Sequence, residues 1–267
     1  MVRISVSHSR LPQFRNPDHE TILHASHPAA SLGPVAATAP HASVPAIPPG
    51  AKLRVVGDVH GDATAFGYAA ATDRFLVQLG DLVDYGPDSA RTLRIMFDLL
   101  DTGRGLFLLG NHDLKLARHL AGRPVRVDSE LERTLSQLDS TLRVRVLEAA
   151  ALAPAWLQRG PLLFVHGGFH SLMLQQPAPT VGPERVDGAL ARALYGQPTG
   201  RMQPDGYPER SLRWVDRIPA GFTVYCGHDR RSRDGRPYVR RGEAGGRAVF
   251  LDTGAGKGGH LSWIDID

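Results

Sequence analysis

Several short apolar runs in this chain end in glycine and then in groups that bind metals or move protons. Leu53, Val55 and Val56 lead into Gly57-Asp58-Val59-His60-Gly61. Residues 74–79 lead into Gly80-Asp81-Leu82-Val83-Asp84-Tyr85-Gly86, and residues 103–109 into Gly110-Asn111-His112-Asp113. Later runs deliver His166-Gly167-Gly168, Gly227-His228 and Asp252-Thr253-Gly254. Residues two apart on an extended segment point the same way, so Asp58 and His60 can grip one ion. The glycines let the backbone turn sharply beside them. Asp58, His60, Asp81, Asn111, His166 and His228 mix carboxylate, imidazole and amide oxygen, a set that suits Mn, Fe or Zn better than Mg alone. It is larger than one ion with an open position requires. Asp81 can bridge two ions about 3.5–4 Å apart, the usual spacing of a two-metal hydrolytic site. Such a pair polarises a phosphoryl oxygen and lowers the pKa of a water. His112 then stands beside the site as general acid for the leaving oxygen, and Asp84 can orient its ring.

Periodicity predicts the elements that must position these groups. A small helix spans 63–71. A second, 89–100, puts Leu93, Met96, Phe97 and Leu100 on one face. A third carries Leu114, Leu116 and Leu120. Three consecutive strand–loop–helix units predict a parallel sheet with crossover helices, and ligands gather at the carboxyl ends of such strands. From Asp128 the pattern changes. Leu131, Leu135, Leu138 and Leu142 recur at helical spacing behind an N-cap at Asp128 or Ser129, and a second helix runs to Ala153 and stops at Pro154. That stripe reads as core or lid packing. Beyond Gly160, strands alternate with loops up to a final strand at 260–266, as in a second sheet.

Composition narrows the class. At 267 residues with 42% hydrophobic content, the chain can bury one large core. No apolar run approaches a membrane span, and residues 1–14 lack the apolar stretch of a signal peptide. The single cysteine, Cys226, excludes an internal disulfide framework and reads as a small packing residue. A soluble cytoplasmic protein without membrane contact is expected. Net charge is +4, carried almost wholly by Arg, with Lys only at 52, 115 and 257. Arg favours bidentate phosphate contacts, although a base composition that also enriches Ala, Gly and Pro accounts for the excess equally well. Residues 1–50 read as a low-complexity, mobile lead-in, with a short strand near 2–6, and 51–267 as the catalytic domain. Histidines 8, 19, 24, 27 and 41 have no carboxylates at useful spacing and read as solvated.

Gly57-Asp58-x-His60-Gly61, Gly80-Asp81-x-x-Asp84, Gly110-Asn111-His112-Asp113, His166-Gly167-Gly168 and Gly227-His228 resemble, in order, the motifs of the calcineurin-like metallophosphoesterases. The branch holding phosphoprotein phosphatases and diadenosine tetraphosphatases is the most similar. The resemblance implies a two-sheet α/β/β/α sandwich with a helical insertion around 128–153. It also implies two divalent ions, with Mn²⁺ foremost and Fe or Zn as alternatives. Asp58, His60 and Asp81 would hold one ion, and Asp81, Asn111, His166 and His228 the other. His112, paired with Asp84, would be the proton donor.

Other stretches look like the phosphatase domain of bacterial polynucleotide kinase-phosphatase. They are Gly110-Asn111-His112-Asp113-x-Lys115-x-x-Arg118, Leu131-Glu132-x-Thr134 and Ala193-Leu194-Tyr195-Gly196-x-x-Thr199-Gly200. On that resemblance Asp252 is a site aspartate, and the substrate is a nucleotide or nucleic-acid end bearing a 3′-phosphate or a 2′,3′-cyclic phosphate. A dinucleoside tetraphosphate or a phosphoprotein is the alternative. The chain departs from the family at Tyr85, where an Arg normally clamps the substrate phosphate. A phenol offers one neutral hydrogen bond in place of a charged fork. Arg230 and Arg231 are the expected substitutes, against a reading of Arg230, Arg231, Arg233 and Arg236 as a solvated loop.

Overall fold

The computed structural model describes residues 3–6, 46–179, 186, 188–204, 206–232 and 234–267. In chain order the first half comprises β1 (Arg3–Val6), β2 (Leu53–Val56), α1 (Ala63–Ala70), β3 (Phe75–Gln78), α2 (Ser89–Asp101), β4 (Gly105–Phe107), α3 (Asn111–Leu120), α4 (Ser129–Gln137) and α5 (Ser140–Leu152). The second half comprises β5 (Trp156–Arg159), β6 (Leu162–Val165), α6 (Gly188–Tyr195), β7 (Pro198–Met202), β8 (Pro208–Arg210), β9 (Thr223–Cys226), β10 (Tyr238–Arg241), β11 (Arg247–Phe250) and β12 (Ser262–Ile266).

Helix starts follow from aspartates that accept a backbone N–H three residues on, satisfying a donor the helix cannot. Asp62 takes Ala65 N, Asp88 takes Arg91 N, Asp128 takes Leu131 N and Asp139 takes Leu142 N. Asp139 thus begins a new helix where the leucine stripe would otherwise run on, and the predicted insertion folds as the α4–α5 pair.

Five strands form one sheet in the order β1-β12-β2-β3-β4, and five form another in the order β10-β11-β9-β6-β5. Strands β2, β3 and β4 run parallel, with β4 at one edge of the first sheet, as do β6, β9 and β11 in the second. Antiparallel strands β1, β10 and β5 close the other three edges. The sheets face each other across a dry layer in which Val55, Val77, Leu79, Leu106 and Leu108 meet Phe164, Tyr225, Val249 and Leu251, all buried. A second cluster packs the outer faces against the helices, with Phe66, Leu93, Met96, Leu114 and Leu131 among its members. The predicted α/β/β/α sandwich is therefore present. Its parallel strands open at one edge of the seam between the sheets, and the loops there carry the chemistry. An apolar cavity of about 340 Å³, lined by Phe75, Gly105 and Arg145 among others, lies instead at the amino ends of β3 and β4.

β5, the β7–β8 hairpin, β10 and α6 were not anticipated. β7 is exposed throughout and β10 nearly so, leaving no apolar alternation to read. The expected N-terminal strand exists as β1 and pairs Arg3 to Val6 with Asp265 to Ser262. The five histidines at 8, 19, 24, 27 and 41 lie outside the described residues. Among the described residues, a chain beginning at Ala46 loses this edge strand. It should unfold in one cooperative calorimetric transition, with Tm lowered by roughly 2–8 °C, since each 1 kcal/mol shifts a domain of this size by about 2–4 °C.

Candidate active site

The loops after β2, β3, β4, β6, β9 and β11 bring every sequence-predicted ligand to one place. Asp58, His60, Asp81 and His166 are at most 2% exposed. Ligand atoms of Asp58, His60 and Asp81 lie within 4.8 Å of one another, and so do those of Asp81, His166 and His228. Asp81 belongs to both groups, as the bridging role requires. Asn111, the first residue of α3, directs Oδ1 to Nε2 of His166 at 3.1 Å.

Backbone carbonyls set the imidazoles. His60 Nδ1 donates to Val83 O at 2.9 Å, and His166 Nδ1 to Leu79 O at 2.9 Å. Each ring then aims Nε2 at carboxylates. His60 Nε2 lies 3.7 Å from both Asp58 and Asp81, and His166 Nε2 lies 3.4 Å from Asp81. Nε2 of His60 and Nε2 of His228 are buried with no protein partner. Buried polar atoms are normally satisfied by a hydrogen bond, a water or an ion. Lone pairs of nitrogen facing lone pairs of oxygen fit a cation between them, so the residues present suit two divalent ions.

The protonation balance points the same way. Burial and the Asp252 charge push the Asp58 carboxyl well up. Burial alone would raise Asp81 too, but His166, His112 and His60 outweigh it and hold it well below the usual range. Burial works against charge on His166, yet Asp81 pushes it up to about 9. Burial lowers both His60 and His228. Without a bound cation, His166 would carry the compensating charge as a proton.

His112 sits beside this cluster. Its backbone N–H donates to Asp81 Oδ1 at 2.9 Å, and its Nδ1 meets Asp84 Oδ2 at 2.6 Å. Burial lowers its pKa, but Asp81 and the bond to Asp84 override that and raise it. Asp84 is itself fixed by Thr134 Oγ1 at 2.7 Å, and Thr134 by Ser89 at 3.2 Å. Thr134 comes from α4, so the insertion reaches back to fix Asp84 beside His112. His60, Asp81, Asp84, Tyr85 and His228 all have positive φ, and they are the only non-glycine residues among those described that do. Backbone strain is concentrated at the site.

The sequence reading missed Asp113, Gln78, Arg210 and Lys257. Asp113 accepts N–H bonds from Asp81, Leu82 and Gly110 at 2.8, 2.9 and 3.1 Å, joining two ligand loops. Gln78 bonds Gly80 through both ends of its amide. A polar residue last in an apolar strand was the available signal for Gln78. Asp113 was visible as the fourth residue of its motif but had no chemical task. Arg210, Asp252, Arg230 and Lys257 line a small cavity of about 80 Å³ against His228. Asp252 is buried and accepts from Gly254 N at 2.9 Å. Arg230 is exposed at the rim. Arg231 is spent on Asp229 at 2.6 Å and on the carbonyl of Arg210 at 3.0 Å, so it is not a free phosphate ligand. Arg233 lies outside the described residues. Tyr85 packs edge-on to His60 and His112, with centroids 5.0 and 5.2 Å away.

A sandwich with paired metal-ligand clusters at its strand ends defines a metallophosphoesterase. The chain belongs to the calcineurin-like phosphoesterase family, whose profile matches residues 51–232, and it is a phosphoric ester hydrolase. Relatives include proteins named bis(5′-nucleosyl)-tetraphosphatase PrpE [asymmetrical]. That of Halalkalibacterium halodurans is 28% identical over 232 residues, 79% of this chain and 88% of its own length. That of Geobacillus thermodenitrificans is 30% identical, covering 79% and 88%. Among solved structures, a candidate diadenosine tetraphosphatase superposes with TM-score 0.54 at 20% identity, covering 82% of this chain and 91% of that one. A serine/threonine phosphatase of Saccharomyces cerevisiae gives 0.53 at 17%, covering 76% and 68%. These two show the shared fold.

Asp113→Asn replaces one acceptor oxygen with a donor that faces backbone N–H groups. Mn²⁺ affinity measured by calorimetry should fall about 10–100-fold, the usual effect of removing a group that orients metal ligands.

Proposed function

We propose that the protein hydrolyses bis(5′-nucleosyl) polyphosphates with two divalent ions, residues 51–267 forming the catalytic unit. The observation that carries the two-ion reading is the pair of buried, partnerless imidazole nitrogens, on His60 and His228, on either side of the shared Asp81. Asp58, His60 and Asp81 would hold one ion, and Asp81, Asn111, His166 and His228 the other. Their donor set favours Mn²⁺, with Fe or Zn as alternatives. Bound there, such ions polarise a phosphoryl oxygen and lower the pKa of a water.

The chain's own residues do the rest. His112 donates a proton from Nε2 to the leaving oxygen, while Asp84 holds Nδ1 and keeps the ring charged. Thr134 and Ser89 stop Asp84 from turning away. Arg210, half-buried beside His228, offers its guanidinium to the substrate's phosphate chain. Asp252 and Arg230 bound the same pocket. The buried Cys226 and the absence, among the described residues, of any helix long and apolar enough to cross a membrane accord with a cytoplasmic setting.

Two observations favour a dinucleotide over a nucleic-acid 3′ end or a phosphoprotein. Relatives that match 79% of this chain and 88% of their own length bear the dinucleotide name. In addition, each phosphate inside a nucleotide bridge carries one charge rather than the two of a terminal phosphoryl group. It therefore makes a smaller demand on the guanidinium that Tyr85 has replaced.

One Mn²⁺-supplemented panel tests this. It contains diadenosine tetraphosphate, a 3′-phosphorylated oligonucleotide, a 2′,3′-cyclic nucleotide and a phosphopeptide. The dinucleotide should be turned over with the highest kcat/KM, yielding nucleoside mono- and triphosphate. Preference for either nucleic-acid substrate would return the reading to end repair. Asp81→Asn should lose at least about 10³-fold in kcat/KM. His112→Asn should lose about 10²–10⁴-fold in kcat with metal content unchanged, the range expected for loss of a general acid.

A further inference from the structure

We infer that Lys257 is the cation that binds the substrate phosphate in place of the Arg absent at position 85, with Tyr85 as its positioning residue. The inference rests on the phosphoesterase reading and names the group that site uses to hold its anion. Lys257 lies on the glycine-rich loop after β11, among Gly254, Gly256, Gly258 and Gly259. Gly256 has φ +69°, and a Cβ there would fall on the backbone carbonyl of His60, so the loop lies directly against the metal-ligand turn. The Lys257 ammonium sits 4.3 Å from the centroid of the Tyr85 ring and 5.9 Å from that of Tyr207. The two phenols are hydrogen-bonded to each other. Lys257 shares its cavity with His228, Asp252 and Arg210, and its charge is felt at Asp58, His60 and His112.

No carboxylate pairs with Lys257 among the described residues. Aromatic faces attract an ammonium without occupying its N–H donors. The three donors therefore remain for an anion. The sequence-level candidates do less: Arg230 stands at the rim and Arg231 is bound to Asp229. An Arg at position 85 would set a second cation against Lys257, so Tyr85 and Lys257 form a matched pair. The positive charge has moved from the loop after β3 to the loop after β11. The move also changes its shape. A guanidinium fork fits a terminal phosphoryl group bidentately, whereas an ammonium is a point charge that suits a singly charged bridging phosphate.

The test reads binding rather than turnover. Inorganic phosphate is titrated calorimetrically into Mn²⁺-loaded protein, with folding checked by thermal melts and Mn²⁺ affinity measured separately. Lys257→Met and Lys257→Gln should each weaken phosphate at least fivefold with Mn²⁺ affinity unchanged. Tyr85→Leu should weaken it more than Tyr85→Phe, which keeps the ring. Adding Tyr85→Arg to Lys257→Met should recover at least half of the logarithmic loss. It should also shift kcat/KM toward an aryl monoester relative to the dinucleotide. A loss below fivefold in both Lys257 variants, or no recovery in the double variant, overturns the inference. Failure of wild-type protein on the dinucleotide, with phosphate binding still dependent on Lys257, would sink the substrate reading and leave this one standing.

Discussion

Negative charge buried at the seam between two sheets is the constraint that everything else answers. Asp58, Asp81 and Asp252 are each at most 3% exposed, and a carboxylate taken from water without compensation is prohibitively costly. Part of the compensation is backbone. The His228 N–H approaches both oxygens of Asp58 at 3.0 Å, and the His112 N–H serves Asp81. Side chains of Asp58 and Asp81 fill the space where Cβ atoms of Gly227 and Gly110 would stand. Those glycines therefore belong to the electrostatics as much as to the turns. The remaining lone pairs face imidazoles, which supply a place for cations.

How much was legible in the sequence follows from what each residue depends on. Asp58, His60, Asp81, Asn111, His166 and His228 each follow an apolar strand. Parallel topology sends such positions to one edge whatever the details of the loops. His112 and Asp84 were readable for the same reason. Lys257 and Arg210 were not, because their loop and hairpin reach the site only after the two sheets have packed. Asp113 illustrates a different gap. It accepts three N–H bonds from two loops, a task without sequence spacing of its own. Arg231 looked like a phosphate ligand beside His228, but Asp229, two residues before it, claims it.

The α4–α5 insertion is tied directly to the site. α4 begins at the Asp128 cap and carries Leu131 into the core, which fixes the azimuth at which Thr134, three residues on, meets Asp84. The Asp84–His112 pair is thus held by helix packing at a distance from the candidate metal ligands. The fold is shared with neighbours whose names differ, a candidate diadenosine tetraphosphatase and a serine/threonine phosphatase. A fold does not fix a substrate, so on the proposed function selectivity rests with Tyr85, Lys257, Arg210 and the β7–β8 hairpin that presents Arg210.

Five left-handed, non-glycine residues have a consequence for how this sequence can change. Each costs about 1–2 kcal/mol relative to a relaxed backbone. Together they withhold an amount comparable with the roughly 5–15 kcal/mol that separates a folded domain from its unfolded chain. Selection for stability alone would therefore find its readiest gains by placing glycine at these positions, and each gain would remove a candidate metal ligand, the carboxylate beside His112 or the ring beneath Lys257. Lineages released from the need to hydrolyse phosphate esters would drift toward sturdier, inert descendants. Retention of His60, Asp81, Asp84, Tyr85 and His228 would mark those still under selection for catalysis.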